Sequence, residues 1–166
     1  WGYRMEAGSL FLRPANMLGG AIFERDEADP FVFPLHKHDH ICEMLYVDRG
    51  EGEFWIDGAT YTAHPGTLLF YQQGIWHQER STVHPFRGMY IGFNGLEMRG
   101  LPANFFLKPG QSPALKLEDQ APAIARAILG CIEEYGRPEP EYRTIGSHLL
   151  GVLLARLARL VHYREA

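Results

Sequence analysis

Short β-prone segments, each closed by glycine or proline, constrain the fold of this chain more than any other feature of its sequence. The clearest is a hairpin in which segments 53–56 and 59–63 flank Asp57-Gly58, a dipeptide that readily adopts the positive φ angles of a two-residue turn. A tight reversal is predicted at residues 49–52, where two glycines alternate with charged residues. Further strands are predicted at 21–25, 31–38, 41–47, 67–71 and 86–93. So many short strands favour a closed or sandwich-like all-β unit.

The apolar period changes from two residues to about 3.6 beyond residue 117, which indicates helices. Asp119 is predicted to cap a first helix that carries Pro122 in its first turn and ends at Gly136. Its apolar stripe consists of Ile124, Ile128, Cys131 (or Leu129) and Ile132. A longer helix follows, with leucines at intervals of three and four from Leu149 to Val161. We therefore expect a mainly β unit followed by two C-terminal α-helices.

Three regions are predicted: an N-terminal arm at 1–20, a barrel at 21–117 and a helical region at 118–166. The arm carries one short strand at 10–13 and is otherwise irregular. Segment 94–117 is rich in glycine and proline, and short strands near 105–107 and 114–117 would complete the barrel.

Composition excludes several classes of protein. Apolar residues make up 46% of the 166 residues and aromatic residues 13%, as in a globular domain. A net charge of −4, with no basic stripe and no helix-turn-helix pattern, argues against this segment binding a phosphate backbone by itself. No apolar run approaches the roughly 20 residues of a membrane span, so no membrane contact is expected. Cys42 and Cys131 lie in unrelated segments, which favours a reducing interior and a cytoplasmic location.

Three histidines and a glutamate form the candidate site: His36, His38, Glu43 and His77. His36 and His38 share a face on an extended strand, whereas Glu43 has the wrong parity, so a turn or bulge is expected at Asp39-His40. Imidazole nitrogens and a carboxylate oxygen are suitable ligands for Zn, Fe, Mn, Ni or Cu. Alternatively, the four groups hydrogen-bond a polar ligand, or one another, without an ion. Glu79 and Arg87 could reach a bound ligand, but exposed charges near a barrel mouth are usually solvated.

These spacings resemble the two cupin motifs. His36-x-His38, four residues, Glu43, six residues and Gly50 match the first, and Gly66, five residues and Gln72-x-Gly74-x-x-His77 match the second. Gln72 stands where the family usually has proline, and Ser81 where it has asparagine. The glycines between the two motifs and the two helices beyond them extend the resemblance to the sensor domain of AraC-type transcription regulators, a cupin-like (jelly-roll) β-barrel.

The resemblance implies a function for each region. The barrel would bind a small polar effector, such as a sugar-like molecule, through His36, His38, Glu43, His77 and Tyr90, directly or through a divalent metal. The arm would fold over the pocket, although an ordinary edge strand with a frayed end is equally compatible with its sequence. The helix at 142–163 would hold a homodimer together, and DNA would be contacted only through a C-terminal domain outside this chain.

Two alternatives stay open at this point. A metal-dependent cupin enzyme (dioxygenase, isomerase or decarboxylase) could use the same four ligands, because a cupin site does not fix a reaction type. The leucine stripe either covers the barrel or packs against the same helix of a second subunit. Leu150, Leu153, Leu157 and Leu160 approximate the heptad-like seam that the second arrangement would use. Trp55, Trp76 and Tyr46 are candidate pocket walls, for which core packing is the commoner explanation.

Overall fold

The computed structural model describes residues 8–164, so the first seven residues of the expected arm and the last two of the helical region lie outside the described residues. The elements are β1 (Phe11–Arg13), β2 (Asn16–Arg25), β3 (Val32–His36), β4 (Cys42–Ile56), β5 (Ala59–Ala63), β6 (Thr67–Tyr71), β7 (His77–Asn94), β8 (Glu97–Met98), β9 (Ala114–Lys116), a 3-10 turn (Glu118–Gln120), α1 (Ala121–Gly136) and α2 (Tyr142–Val161). The expectation of a mainly β, cupin-like barrel followed by two helices is confirmed.

All strand pairs are antiparallel, and β7 is the central strand of the barrel. It pairs with β2, β3 and β4, while β4 also pairs with β5 and β6, and β6 with β9. Strand β1 pairs separately with β8. The hairpin at Asp57-Gly58 joins β4 to β5 as predicted, with φ of 48° and 85° at the two turn residues.

Side-chain alternation along β4 separates two hydrophobic clusters. Leu45 and Val47 point into the barrel, where they pack with the aromatic interior cluster. Met44 and Tyr46 point the other way, into the cluster that the sheet forms with the helices. Because successive residues of a strand face opposite sides, Glu43 shares the inward face of Leu45.

Residues 49–52 do not reverse the chain, so that prediction is wrong. They form an irregular stretch within the single strand β4, where the register to β7 shifts repeatedly. Gly50 has φ of 75°, and a Cβ there would lie 2.3 Å from the Val83 carbonyl oxygen, so only glycine fits. After the shift even-numbered residues face inward, which brings Phe54 and Ile56 into the interior cluster.

Other boundaries also differ from the sequence prediction, and β7, expected at 86–93, begins at His77. Strand β2 begins at Asn16, inside the expected arm, because it pairs with the end of β7. The β-strand expected near 114–117 is present as β9, whereas residues 105–107 form no strand. The expected cap at Asp119 is also wrong, since that residue lies in the 3-10 turn and Gln120 precedes α1.

The helices cover the outer face of the sheet. Ile124, Ile128, Cys131 and Ile132 of α1 are buried there, as predicted. Leu150, Leu153 and Leu157 of α2 are each 0% exposed, and Leu160 packs against the same cluster. The heptad-like seam is therefore internal to the subunit and is not available to a second copy. The stripe is wide because it contacts both α1 and the sheet.

The outer side of α2 carries a second set of apolar residues. Ile145, Leu149 and Val152 are 42%, 37% and 51% exposed, and their spacing places them on one helical face. By length and by mean hydropathy of 1.4 alone, α2 meets the criteria of a membrane span, as a core helix also does, although no such run was expected from the sequence.

Candidate metal and ligand site

The structure brings the three predicted histidines together inside the barrel. His36 ends β3 and is the register partner of His77, which begins β7. His38 lies just before a bend at Asp39-His40 that leads into β4, so the expected change of direction there is confirmed. One ring nitrogen from each of the three histidines lies within 4.8 Å of the others. The ring centroid of His36 is 4.2 Å from that of His77.

Backbone carbonyls fix the protons on two of these rings. A carbonyl oxygen only accepts, so the Nδ1–H of His36 donates to Pro34 (2.8 Å) and that of His77 to Ile75 (3.0 Å). When the ring is neutral and Nδ1 carries the proton, Nε2 is unprotonated and its lone pair is free to bind a ligand. The stacked ring of Tyr71, 4.1 Å away between centroids, holds His77 in place.

The free nitrogens fit a metal ion. Among the described residues, the buried Nε2 atoms of His38 and His77 have no hydrogen-bond partner. Burial lowers the pKa of His38 and brings that of His77 to about 4, so both rings are uncharged at neutral pH. Neutral imidazoles oriented by backbone carbonyls are the usual ligands of Zn²⁺ and related ions. The donor set therefore suits a divalent transition metal.

Two carboxyl groups flank the cluster. Glu43 Oε2 lies 3.7 Å from His38 Nε2, and Glu79 Oε1 lies 3.8 Å from His77 Nε2. Burial raises the pKa of Glu43 to about 7 and that of Glu79 to about 8, the latter partly opposed by the Tyr71 hydroxyl. A nearby cation would reverse both shifts.

Sequence reasoning missed Glu79. The sequence favours a solvated side chain at this position, but Glu79 is 4% exposed and lines the cavity. The signal was available, since residue 79 lies two positions beyond His77 on a β-strand and so faces the same side. The site thus contains two carboxyl groups instead of the one that the motif supplies.

Tyr90 lines the same cavity as His36, His38 and Glu43, as predicted from the family resemblance. The cavity measures about 360 Å³, within the range of small-molecule sites. The other candidate wall residues lie elsewhere: Tyr46 is in the cluster under the helices, and Trp76 is 48% exposed beneath Lys37. Trp55 lines a separate depression on the outside.

A hydrogen-bond network connects the bend at Asp39-His40, here called the histidine bend, to segment 104–107. The Asn104 side-chain amide donates to the His40 carbonyl (3.0 Å) and to Gln73 Oε1 (2.8 Å). Gln72 Oε1 accepts from the backbone N–H groups of Phe106 (2.8 Å) and Leu107 (2.7 Å). These bonds hold residues 105–107 where a strand was expected.

The network ends at α2. The ring nitrogen Nε2 of His162, the residue that follows α2, donates to the Phe106 carbonyl (2.8 Å). Gln111 also reaches this helix, donating from Nε2 to the Val161 carbonyl (3.1 Å). The segment held by Gln72 therefore contacts the C-terminal end of α2 directly.

Comparison with known proteins agrees with this geometry. Residues 18–150 match the family model of the AraC-like ligand binding domain. The chain belongs to that family, and the resemblance read from its motifs is confirmed. It is also 30% identical over 81 residues to the uncharacterized HTH-type transcriptional regulator YdiP of Escherichia coli K12. That match covers 48% of this chain and 27% of YdiP, so the chain spans about a quarter of its relative.

Solved structures with partial similarity include cupin proteins and enzymes. A predicted oxalate decarboxylase from Thermotoga maritima is 22% identical, with 46% of this chain and 66% of that chain covered and a TM-score of 0.43. A mutant form of salicylate 1,2-dioxygenase from Pseudoaminobacter salicylatoxidans is 18% identical, with 74% and 43% covered and a TM-score of 0.44.

Proposed function

We propose that this chain is the ligand-sensing part of an AraC-type transcription regulator. A small molecule binds in the barrel beside the histidine cluster, and its binding alters the position of α2. DNA is contacted through a separate domain of the full-length regulator. The family match and the regulator relative support this assignment. The two unpaired, buried cysteines accord with a cytoplasmic protein.

The observation that carries the proposal is the physical connection between the site and α2. A ligand that moves His38 also moves the bend through His40, whose carbonyl is bonded to Asn104. Gly74 N–H donates to the His38 carbonyl (2.7 Å), so the turn that carries Gln72 and Gln73 moves with it. From there the bonds to residues 106 and 107 reach the end of α2. Ligand binding would select one of two positions of this network.

One divalent transition metal (Zn, Fe, Mn, Ni or Cu) would be held by His36, His38 and His77, with Glu43 or Glu79 beside them. It would supply a positive charge and a Lewis-acid position for an oxygen atom of the ligand. The protein's own part is to orient the imidazoles and to exclude water. His77, at 0% exposure, is fully shielded from solvent.

The homodimer is proposed through the outer face of α2 formed by Ile145, Leu149 and Val152. The heptad-like seam of Leu150, Leu153 and Leu157 is buried within the subunit, whereas these three side chains are exposed on a single face. An exposed apolar row on the outside of a long helix suits a two-helix contact.

Amide hydrogen exchange tests the connection. Binding of a metal or ligand should change exchange at residues 104–107 and at residues 158–162 together. In Asn104→Ala the site should still bind, but the change at 158–162 should be smaller than in wild type, because only the branch through Gly74 and Gln72 remains. Equal responses of Asn104→Ala and wild type would contradict the proposed route.

A metal-dependent cupin enzyme is the second candidate, because a three-histidine cluster lies at a cavity lined by His36, His38 and two carboxyl groups. The gene sequence downstream of residue 166 separates the two candidates. About a hundred residues with two helix-turn-helix patterns, the size of a small domain, would support the regulator. One metal per chain together with turnover of a substrate would instead support the enzyme.

A further inference from the structure

The cavity beside the histidine cluster is walled mainly by aromatic and aliphatic side chains. Its apolar lining consists of Ala21, Phe23, Phe31, Phe33, Leu45 and Tyr90. The ring centroid of Phe23 lies 4.7 Å from that of Phe31 and 6.3 Å from that of Tyr90. A sugar requires polar side chains around much of its circumference, whereas flat apolar walls suit an aromatic ring. The walls therefore favour a planar ring over a polyol.

The polar groups of the cavity divide between two ends. Arg25 lies opposite Phe86 across the pairing of β2 with β7, and Glu43 lies opposite Gly92 across the pairing of β4 with β7. These two positions of β7 are separated by about 20 Å of strand. Glu79 belongs to the Glu43 end, because its carboxyl group lies against the histidine cluster. A ligand that spans the cavity thus meets a cation at one end and imidazoles with carboxyl groups at the other.

Arg25 is suited to bind an anion. It is the single arginine or lysine among the described residues that line the cavity. Its guanidinium carbon lies 5.8 Å from the centroid of Phe23, so it sits over the aromatic wall. Its ion pair with Asp29 is long (3.9 Å) and exposed, and is correspondingly weak. A ligand carboxylate could replace Asp29 and form two parallel hydrogen bonds.

Gly88 makes room for the aromatic wall. A Cβ at this position would lie 2.6 Å from Cζ of Phe23 and 3.1 Å from Leu45. The Phe23 ring therefore lies directly against the backbone of β7, and the space in front of it stays open. Any larger residue at position 88 would push this ring into the cavity.

We propose that the cavity binds a hydroxylated aromatic carboxylic acid. Its ring lies against Phe23 and Tyr90, and its carboxylate pairs with Arg25. Its hydroxyl group lies at the end lined by His36 and His38, where Nε2 of His38 has no hydrogen-bond partner. This inference rests on the proposed sensing function and names the class of its effector, which differs from the sugar-like molecule suggested by the family resemblance.

Isothermal titration calorimetry with three probes tests the proposal. 4-Hydroxybenzoate carries all the required groups, 4-hydroxybenzyl alcohol lacks the carboxylate, and glucuronate keeps a carboxylate on a sugar ring. We expect 4-hydroxybenzoate to bind most tightly. Arg25→Gln should weaken it roughly 10- to 100-fold, the loss typical of one charged hydrogen-bonded pair, and leave the alcohol unchanged.

Two glycine variants test the position of the ring. Gly88→Ala should weaken both aromatic probes, because Phe23 is displaced into the cavity. Gly19→Ala is the matched control on β2, since its Cβ would meet no atom within 4 Å and it does not line the cavity. It should bind both probes like the wild type.

The outcomes separate the effector class from the sensing function. Tighter binding of glucuronate, or equal binding of 4-hydroxybenzoate to wild type and Arg25→Gln, would overturn the aromatic-acid assignment and leave the sensing function intact. Absence of binding by all three probes would also overturn the assignment. The sensing function itself fails if ligand or metal binding never changes exchange at residues 158–162.

Discussion

Replacing Gln72 by alanine should destabilise the protein through two orphaned donors. The side-chain oxygen of Gln72 accepts from the backbone N–H groups of Phe106 and Leu107. Those residues are 0% and 4% exposed, so water has poor access to their backbone once the acceptor is removed. An unsatisfied buried donor costs about 1–3 kcal/mol, which gives about 2–4 kcal/mol for the pair when part of the loss is recovered by relaxation.

Urea unfolding measures this cost, with two controls. Gln72→Glu keeps a carbonyl-type acceptor of the same length, and an ionised oxygen accepts strongly, so its unfolding free energy should stay within about 1 kcal/mol of wild type. Gln78→Ala changes an exposed glutamine on β7 and should be close to neutral. For a protein of this size, a loss of 2–4 kcal/mol lowers Tm by about 4–16 °C.

Two results would refute the reasoning. A Gln72→Ala protein within about 0.5 kcal/mol of wild type would mean that water replaces the acceptor at no cost. A Gln72→Glu protein as unstable as Gln72→Ala would mean that the amide matters for its shape or its NH₂ group, and not for its acceptor oxygen. Either result would also remove the support for Gln72 as a link between the histidine bend and α2.

Three further predictions concern the site and the helix. In metal-free protein, Glu79→Gln should gain stability relative to wild type as pH rises from about 4.5 to 8, by up to about 1.4 kcal/mol per pH unit. The reason is that the pKa of Glu79 in the folded protein, about 8, lies above its value in the unfolded chain. If urea unfolding gave the same difference in unfolding free energy between the two proteins across that pH range, the prediction would be contradicted. His77→Ala should weaken Zn²⁺ binding more than about 100-fold in competition titrations, whereas His64→Ala, outside the cluster, should not. Val152→Lys should convert a dimer to a monomer in light scattering with little change in unfolding free energy. Leu153→Ala, in the subunit core, should instead lower the unfolding free energy by about 2–5 kcal/mol. A dimer that survives Val152→Lys would exclude the outer face of α2 as the dimer interface.

The two departures from the cupin motifs have structural explanations. Gln72, in place of proline, supplies the acceptor that holds residues 106 and 107. Ser81, in place of asparagine, accepts a hydrogen bond from the Phe31 N–H (2.9 Å) and lies 2.8 Å from His84 Nε2. Both side chains join segments that are distant in sequence. Their roles became visible only once those partners were placed.

The sequence by itself determined the features that depend on local periodicity and on motif spacing. The hairpin at Asp57-Gly58 follows from backbone preferences of two residues, and the stripe of α1 follows from helical spacing. The histidine spacing predicted that His36, His38 and His77 would meet, because the barrel to which such spacing belongs brings these strand ends together. The hairpin and the helical stripe needed no knowledge of a distant partner, whereas the meeting of the histidines was implied by the resemblance to the cupin motifs.

The tertiary structure decided which side of each element is covered and by what. The leucines of α2 have the same spacing whether they face a second subunit or the barrel, and only packing against α1 and the sheet shows that Leu153 is internal. The inward position of Glu79 follows from its spacing to His77 only once β7 is known to begin at residue 77, and the passage of β4 through Gly50 depends on close contact with Val83. Periodicity specifies which face of an element is apolar, but the segment that covers this face comes from elsewhere in the chain. The burial of each side chain and the environment of each carboxyl group are therefore decided only in the folded molecule.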